Sequence, residues 1–529
     1  MPSRPYSLRA ADSEVELKLS LSADAMRRIE ASRVLEEHAA GPAVTRRLHS
    51  TYFDTAEFGL GRRRGSLRVR RIGRRRIQTL KTASDGRHAV SVRGEWENEI
   101  VGDEPDLAAF GRRALEAAGL SASAVLLPVF ATVVRRRFLA VQWPLPDGAT
   151  ADIEVAFDRG RIEAGGRREA ICEMELELRH GPAAALLDLA AALRALVPLR
   201  IFQFEKSARG YRLATGRPTG VVKAASPRVA GADVEGMLVA VLRHCLAQAV
   251  GNEAVAAAEG SAESIHQLRV SLRRLRSALS LFRDVVPPAA CERWSGEARG
   301  LLAALGPCRD LDVFAGELLP PVVEAVASPA LTLLAELAAE RRTRALAGLT
   351  ATLRQQETAD FLLGLGVWTE RRGWRDDAAA GVAQVLKEPA AAFAVRVLDR
   401  RRRKLRKVGK GFAGLDADHR HRVRINAKKL RYGLDFFADL LPRGRVRGDL
   451  AALALLQDRM GRANDIAVAR RLVEGLVEGP AGTEAQRLAA AEGGGQVVGW
   501  YARAALDLEP RVLAAWHSVK ARTREPYGD

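Results

Sequence analysis

The sequence predicts a multidomain chain, α+β at its N-terminal end and all-α beyond. A polar-lined antiparallel β-barrel with flanking helices precedes duplicated helical bundles. Three observations predict it. Period-two alternation recurs in short runs, separated by Gly, Asp and Pro, from about Glu14 to Leu213, which is the pattern of half-buried strands. From about Val234 the apolar spacing becomes helical. The helical part also repeats: His266-Gln-Leu-Arg269-Val-Ser-Leu-Arg273-Arg274-Leu-Arg276 matches His421-Arg-Val-Arg424-Ile-Asn-Ala-Lys428-Lys429-Leu-Arg431 at an offset of 155 residues. The same offset carries Gly306 onto Gly461 and Asp310 onto Asp465, with no gap between the two landmarks. A duplicated unit of this kind is expected to pack about a pseudo-twofold axis.

At 529 residues the chain exceeds the size at which one hydrophobic core stops growing, so at least two domains are expected. The boundary falls in 214–232, where Gly216, Pro218, Gly220, Pro227 and Gly231 make a linker composition. This predicts domains at 12–213 and 233–520, the second as repeats of about 233–385 and 386–520.

The 83 Lys+Arg outnumber the 64 Asp+Glu by 19, an excess that implies a polyanionic partner: nucleic acid, anionic lipid or condensed phosphate. The chain holds 37 basic and 28 acidic residues before residue 225, and 46 and 36 after it, so each part is expected to meet the anion on its own surface. Of the four cysteines, Cys172, Cys245, Cys291 and Cys308, no two stand at a metal-ligand spacing, which suits reduced thiols in a cytoplasmic protein. Met1–Ser13 has no apolar core of signal-peptide length and no run of 18 apolar residues occurs. Neither secretion nor a membrane partner is expected.

In Glu14-Val-Glu16-Leu-Lys18-Leu, residues two apart share a strand face, so one face is ionic and the other apolar. Alone, this suits a solvated sheet face. The pattern returns, however, at Arg68 and Arg70, at Glu95, Glu97 and Glu99, at Arg135 and Arg137, at Asp152 and Glu154, and at Glu173, Glu175 and Glu177. An apolar face under helices and a charged face of both signs are what a barrel with a polar lumen needs. Carboxylates suit Mg²⁺ or Mn²⁺, and arginines and lysines suit phosphate oxygens. Phosphoryl transfer relies on positioning and charge neutralisation, so such a lumen needs no Ser, Cys or His nucleophile.

Taken in order, Glu14-x-Glu16-x-Lys18, Tyr52-Phe-Asp54-Thr, Leu67-Arg68-Val-Arg70, Lys81-Thr82, Asp152-Ile-Glu154, Glu173-Met-Glu175 and Lys206-Ser-Ala-Arg209-Gly-Tyr resemble the CYTH domain of triphosphate tunnel metalloenzymes. The resemblance implies an eight-stranded antiparallel tunnel that hydrolyses inorganic triphosphate with a divalent metal. It makes Lys18, Arg68, Arg70, Lys81, Arg135, Arg137, Lys206 and Arg209 substrate contacts. Glu14, Glu16, Asp152, Glu154, Glu173 and Glu175 become metal ligands or positioners of the attacking water, with Glu14, Glu16 and Lys18 at the catalytic centre. Which two of Glu173, Glu175 and Glu177 reach metal is left open, and Glu95, Glu97 and Glu99 suit the lumen and the outer face equally. Most of the nine arginines between Arg62 and Arg76 are read as surface charge at a hairpin end. An organic triphosphate such as a nucleotide or thiamine triphosphate, or the cyclisation of ATP, is the enzymatic alternative. A non-enzymatic polyphosphate scaffold is the other.

In the helical half, Ile265, Leu268, Leu272, Leu275 and Leu279 form an apolar stripe, and His266, Arg269, Arg273 and Arg276 a basic one. Its equivalent sets Val423, Ala427, Leu430 and Leu434 inward and His421, Arg424, Lys428 and Arg431 outward. Solvated faces would look the same one helix at a time, but two related helices can line one groove. A phosphate chain binds such a groove by counterion release, with no sequence to read. Aromatics form 5% of the chain, too few to favour stacking on single-stranded nucleic acid, and Tyr432, Phe436 and Phe437 suit a core equally.

The paired His-x-x-Arg segments, with Arg309-Asp310-Leu-Asp312 and Asn464-Asp465, resemble the CHAD domain, a conserved-histidine α-helical domain. This resemblance implies two four-helix bundles binding inorganic polyphosphate through His266, Arg269, Arg273, Arg274, Arg276, His421, Arg424, Lys428, Lys429 and Arg431. Arg400–Lys407 is read either as an extension of that groove or as a solvated face. No specific nucleic acid partner is expected, and association with polyphosphate granules is left open.

Overall fold

The computed structural model describes residues 14–82, 91–202, 204–376, 379, 381–477 and 483–527. Contacts divide the chain into two units, one of residues up to Val222 with Gln356–Arg371, the other of Lys223–Gln355 with Arg372–Asp529.

The first unit is built on strands β1 (Glu14–Ser20), β2 (Val44–Asp54), β3 (Ser66–Ile72), β4 (Arg75–Lys81), β5 (Ser91–Arg93), β6 (Glu95–Ile100), β7 (Leu127–Pro144), β8 (Thr150–Ala164), β9 (Arg167–His180) and β10 (Arg200–Ile201). They pair antiparallel in the order β10-β1-β9-β8-β7-β2-β3-β4-β6, and β5 pairs with β1. The described sheet thus has ten strands where eight were expected, and no ladder joins β6 directly to β1. The two extra strands are short: β10 has two residues, and β5, which pairs with β1, runs through Gly94 into β6, which pairs with β4. Two register shifts, at Tyr52/Phe53 and Asp152/Ile153, interrupt the long ladders where bulges bend a strand.

One face of the sheet is apolar. Leu17, Leu19, Val155, Phe157, Met174 and Leu176 are buried there, each contributing roughly 1.5–3 kcal/mol. The helix Ala184–Arg194 covers β1 and β9 with its leucines. The helix Gln356–Glu370 packs on Ala184–Arg194 and β10, and the Arg194–Asp360 ion pair (3.2 Å) and the Arg371–Asp188 pair (2.5 Å) fasten it. Its periodicity is that of a helix, as read, but periodicity does not say whose core a helix completes.

The second unit is all helical, and its duplication is visible element by element. Ala262–Leu281 and Ala417–Phe436 are 20 residues each and begin and end at equivalent positions. Their N-caps, Ser261 and Asp416, are equivalent too, and each accepts from the backbone N–H three residues on. The two helices pack against each other. Beside them lie Val234–Glu259 and Ala390–Val408, each preceding its basic helix in its own repeat. Val234–Glu259 is long and apolar enough to cross a membrane, but most of that apolar stretch is buried within the protein. Tyr432, Phe436 and Phe437 are core residues.

Candidate active site and basic helices

Residues directly opposite in an antiparallel ladder share a face, so the register assembles the polar lining strand by strand. Lys18 stands opposite Glu175 and Glu16 opposite Glu177. Glu173 stands opposite Asp158, and Asp158 opposite Arg136. Across the sheet, Tyr52 faces Arg68, Ser50 faces Arg70, Thr79 pairs with Arg68 and Glu97, and Lys81 pairs with Ser66 and Glu95. The helix Lys206–Thr215 adds Lys206 and Arg209 from its first turn, and rests on Phe130 at Gly210.

The side chains from β1, β7, β8, β9 and this helix form one connected charge network. Lys206 Nζ lies 2.7 Å from Asp158 and 2.8 Å from Glu175, and also contacts Glu173. Arg136 donates twice to Asp158, at 2.7 and 2.6 Å, and once to Glu175. Lys18 Nζ is 3.1 Å from Glu16 and 3.6 Å from Glu175. Arg209 donates to Glu173 (3.0 Å) and Glu169 (2.7 Å). On the opposite side, Lys81 pairs with Glu95 at 2.9 Å, Thr79 donates to Glu97 at 2.8 Å, and Arg70 donates to Ser50 at 3.1 Å.

Burial makes the charge states informative. Burial alone would raise Glu175, but Arg136, Lys206 and Lys18 hold its carboxyl well below the usual carboxylate range. Burial works against the charge of Lys206, yet Asp158, Glu173 and Glu175 push its ammonium up. Arg70 is different: burial, then Arg68 and Arg136, pull it down to about 10, the mark of cations crowded without enough counter-charge. Tyr52, which burial would raise, is lowered by Arg68 and Arg70. One side of the lining is therefore a carboxylate cluster matched by Lys206, Arg136 and Lys18; on the other, Lys81 and Arg68 have Glu95 and Glu97 beside them and Arg70 is short of counter-charge.

Asp158, Glu173 and Glu175 are buried and offer carboxylate oxygens within 4.8 Å of one another. An all-oxygen donor set of this kind fits a hard divalent cation.

Several expected site residues share the lining: Glu16, Lys18, Arg68, Arg70, Lys81, Glu173 and Glu175 from strands, and Lys206 and Arg209 from a helix. The side chain of Glu14 lies outside the described residues. Arg135 and Arg137 are a correction. They fall on the opposite face, Arg135 exposed and Arg137 3.9 Å from Glu30, and Arg136 takes the lining position because the β7–β8 register sets it against Asp158. Asp152 is a second: it is exposed, beyond the register shift at the end of β8, and the cluster's third carboxylate is Asp158, which shares its parity deeper in that strand. Glu154 keeps the lining face, opposite Glu177, and pairs with Arg179 at 3.0 Å. Glu177 also pairs with Arg179, at 2.6 Å, leaving Glu173 and Glu175 as the converging pair of that run. Glu95 and Glu97 face the lining.

On the helical unit, Arg269, Arg273 and Arg276 each bury a guanidinium Nε that has no hydrogen-bond partner. Arg269 donates to Leu302 O at 3.2 Å and, through burial and then Arg273, is pulled down to about 10. Burial, then Arg309 and Arg273, lower His266 below the ordinary histidine value. The repeats match in detail: a Cβ on Gly306 would lie 3.6 Å from Arg269, and one on Gly461 3.6 Å from the equivalent Arg424. His421 is exposed, and Arg424, Lys428, Lys429 and Arg431 are half-buried. Arg274 is a correction, because it is buried, donates to Asp435 and to Ala225 O (2.8 Å), and stacks on Phe436. It lies on the packed side of its helix and is a structural ion pair. In the Arg400–Lys407 run, Arg401 and Arg402 are buried rather than solvated. The side chains of Asn464 and Asp465 lie outside the described residues.

Two family descriptions match the chain: CYTH domain over residues 12–211 and CHAD domain over 240–474. An inorganic triphosphatase of Haemophilus influenzae is 30% identical over 200 residues, 38% of this chain and 54% of that protein, so the chain spans about half the length of the curated relative it matches. Among solved structures, the CHAD domain of the plant Ricinus communis is 30% identical, over 56% of this chain and 94% of that one, with a TM-score of 0.46. HpAC1 of Hippeastrum, an adenylyl cyclase candidate with a dominant triphosphatase activity, is 21% identical over 39% of this chain and 96% of that one, with a TM-score of 0.28.

Proposed function

We propose, for a chain that carries a CYTH domain followed by a CHAD domain, that the first hydrolyses inorganic triphosphate to diphosphate and phosphate and the second binds inorganic polyphosphate. The observation that carries the first half is the sorting of the lining into a buried carboxylate cluster and a crowded cationic side. Lys18, Arg68, Arg70, Lys81, Arg136 and Arg209 offer donors to the non-bridging oxygens of a linear triphosphate, where charge-assisted hydrogen bonds are strongest. Asp158, Glu173 and Glu175 would hold Mg²⁺ or Mn²⁺, which supplies charge neutralisation at the reacting phosphoryl group. Glu16, next to Lys18 at the edge of that cluster, would orient the attacking water. The lining holds charge already arranged, so little reorganisation is left for the reacting state.

For the second half, the support is the pair of equivalent helices with half-buried arginines and lysines on matching positions. Such a surface attracts a polyanion through charge alone. A cytoplasmic location is part of this reading, with association with polyphosphate granules left open. Glu16→Ala and Arg68→Ala variants with unchanged circular dichroism should each lose about 10²-fold or more in kcat/KM for triphosphate. Full activity in both would overturn the assignment of the lining as the active site.

A further inference from the structure

The two basic helices are equivalent, yet their surroundings are not. Arg274 meets Asp435 across the helix pair and lies against buried Cys245; Leu246 and Ala249, on the same helix as Cys245, are also buried and uncharged. Applying the 155-residue offset to that constellation, Arg274 becomes Lys429, Cys245, Leu246 and Ala249 become Arg400, Arg401 and Lys404, and the helix position equivalent to Asp435 is Ser280. The repeat has kept the cation, lost its carboxylate and gained three more cations.

The space left there is a cavity of about 60 Å³ lined by Ser280, Leu281, Arg283, Val397, Arg400, Arg401 and Lys404. That is room for about two waters or one small oxyanion. Arg401, only 9% exposed, donates to Ser280 Oγ at 2.8 Å and to Ser280 O. Asp284 is engaged by Arg400 at 3.2 and 2.6 Å, and Arg283 approaches it at 3.7 Å. Among the described residues no carboxylate pairs with Arg401, Lys404 or Lys429, and Arg276 keeps its buried Nε without a hydrogen-bond partner. Burial, with Arg401, Lys404, Arg276 and Arg283 close by, lowers the Lys429 ammonium below its ordinary value. Gathering this much like charge in a half-buried place is unfavourable unless an anion shares it.

We propose that this cavity is a binding site for one phosphate group, either free orthophosphate or the terminal phosphate of a longer chain, held by Arg283, Arg401 and Lys404 with Lys429 beside them. It lies in the helical unit and does not depend on the triphosphatase reading; it shares Lys429 with the residues read as polyphosphate-binding, and its chain-end form rests on that reading.

The test is calorimetric titration of the full-length protein with orthophosphate, at an ionic strength held constant with KCl. Ser280→Asp restores the carboxylate of the other repeat and should abolish the site while raising Tm in phosphate-free buffer. Lys404→Gln should weaken it about tenfold, equivalent to the 1.4 kcal/mol of one charge-assisted contact. An orthophosphate isotherm identical in the wild type, S280D and K404Q, or no binding to the wild type, would overturn the proposal. Titration with a polyphosphate of defined length separates the two sources. S280D weakens that binding too if the site takes a chain end, and leaves it unchanged if the site takes free orthophosphate.

Discussion

Three arginines in succession, Arg135-Arg136-Arg137, carry no phase, because alternation places either the outer two or the middle one inward. Only the pairing of β7 with β8 decides it, by setting Arg136 against Asp158. Arg136→Ala should therefore lower kcat/KM for triphosphate by about 10²-fold or more, because it also leaves buried Asp158 without its guanidinium, whereas Arg135→Ala should stay within about twofold. Steady-state kinetics on the two variants checks this directly. Glu16 and Lys18 were legible in the sequence because each stands alone between apolar residues. Asp158 was not, because Ala156 breaks the acidic alternation that Asp152 and Glu154 begin. His266 makes a pH prediction. Its pKa is lowered on folding, so the folded state binds fewer protons than the unfolded, and the stability this contributes is present above about pH 6.5 and lost as pH falls below it. Polyphosphate, which favours the imidazolium, should bind more tightly over the same fall in pH. In His266→Ala both effects should flatten, as read by thermal melts and by binding isotherms at pH 5.5 to 8.

At the scale of elements, Lys206 and Arg209 reach the lining only because the helix Lys206–Thr215 can press on Phe130. A Cβ at Gly210 would fall 2.1 Å from that ring. Gly210→Ala should cost about 1–3 kcal/mol by overpacking and shift the helix away from Asp158 and Glu173. A lowered Tm together with a fall in kcat would bear this out, and an unaltered protein would show that the helix position is not critical. The duplicated helices were the most legible elements of all, since the offset found in sequence reproduces their ends and caps. The helix Gln356–Glu370 shows the limit, because its pattern announces a helix while its contacts with Ala184–Arg194 depend on tertiary packing. The short β5 and β10 were illegible for a related reason: three and two residues are too few to show a period.

Across the whole molecule, the net charge of +19 pointed to a polyanion, and the resemblances divided that charge between a reacting substrate and a bound polymer. Polyphosphate binding by the full chain should weaken steeply with salt, and removing one cation at Arg273 or Lys428 should lessen the salt slope. Equal affinity for DNA of matched charge would contradict a preference for polyphosphate. The central claim remains chemical, and phosphate release by the full-length protein from inorganic triphosphate tests it most directly, with and without Mg²⁺ or Mn²⁺, beside ATP and long-chain polyphosphate. The account predicts metal-dependent turnover of triphosphate well above that of ATP. Preference for ATP, or no turnover of any of the three while polyphosphate still binds, would contradict it.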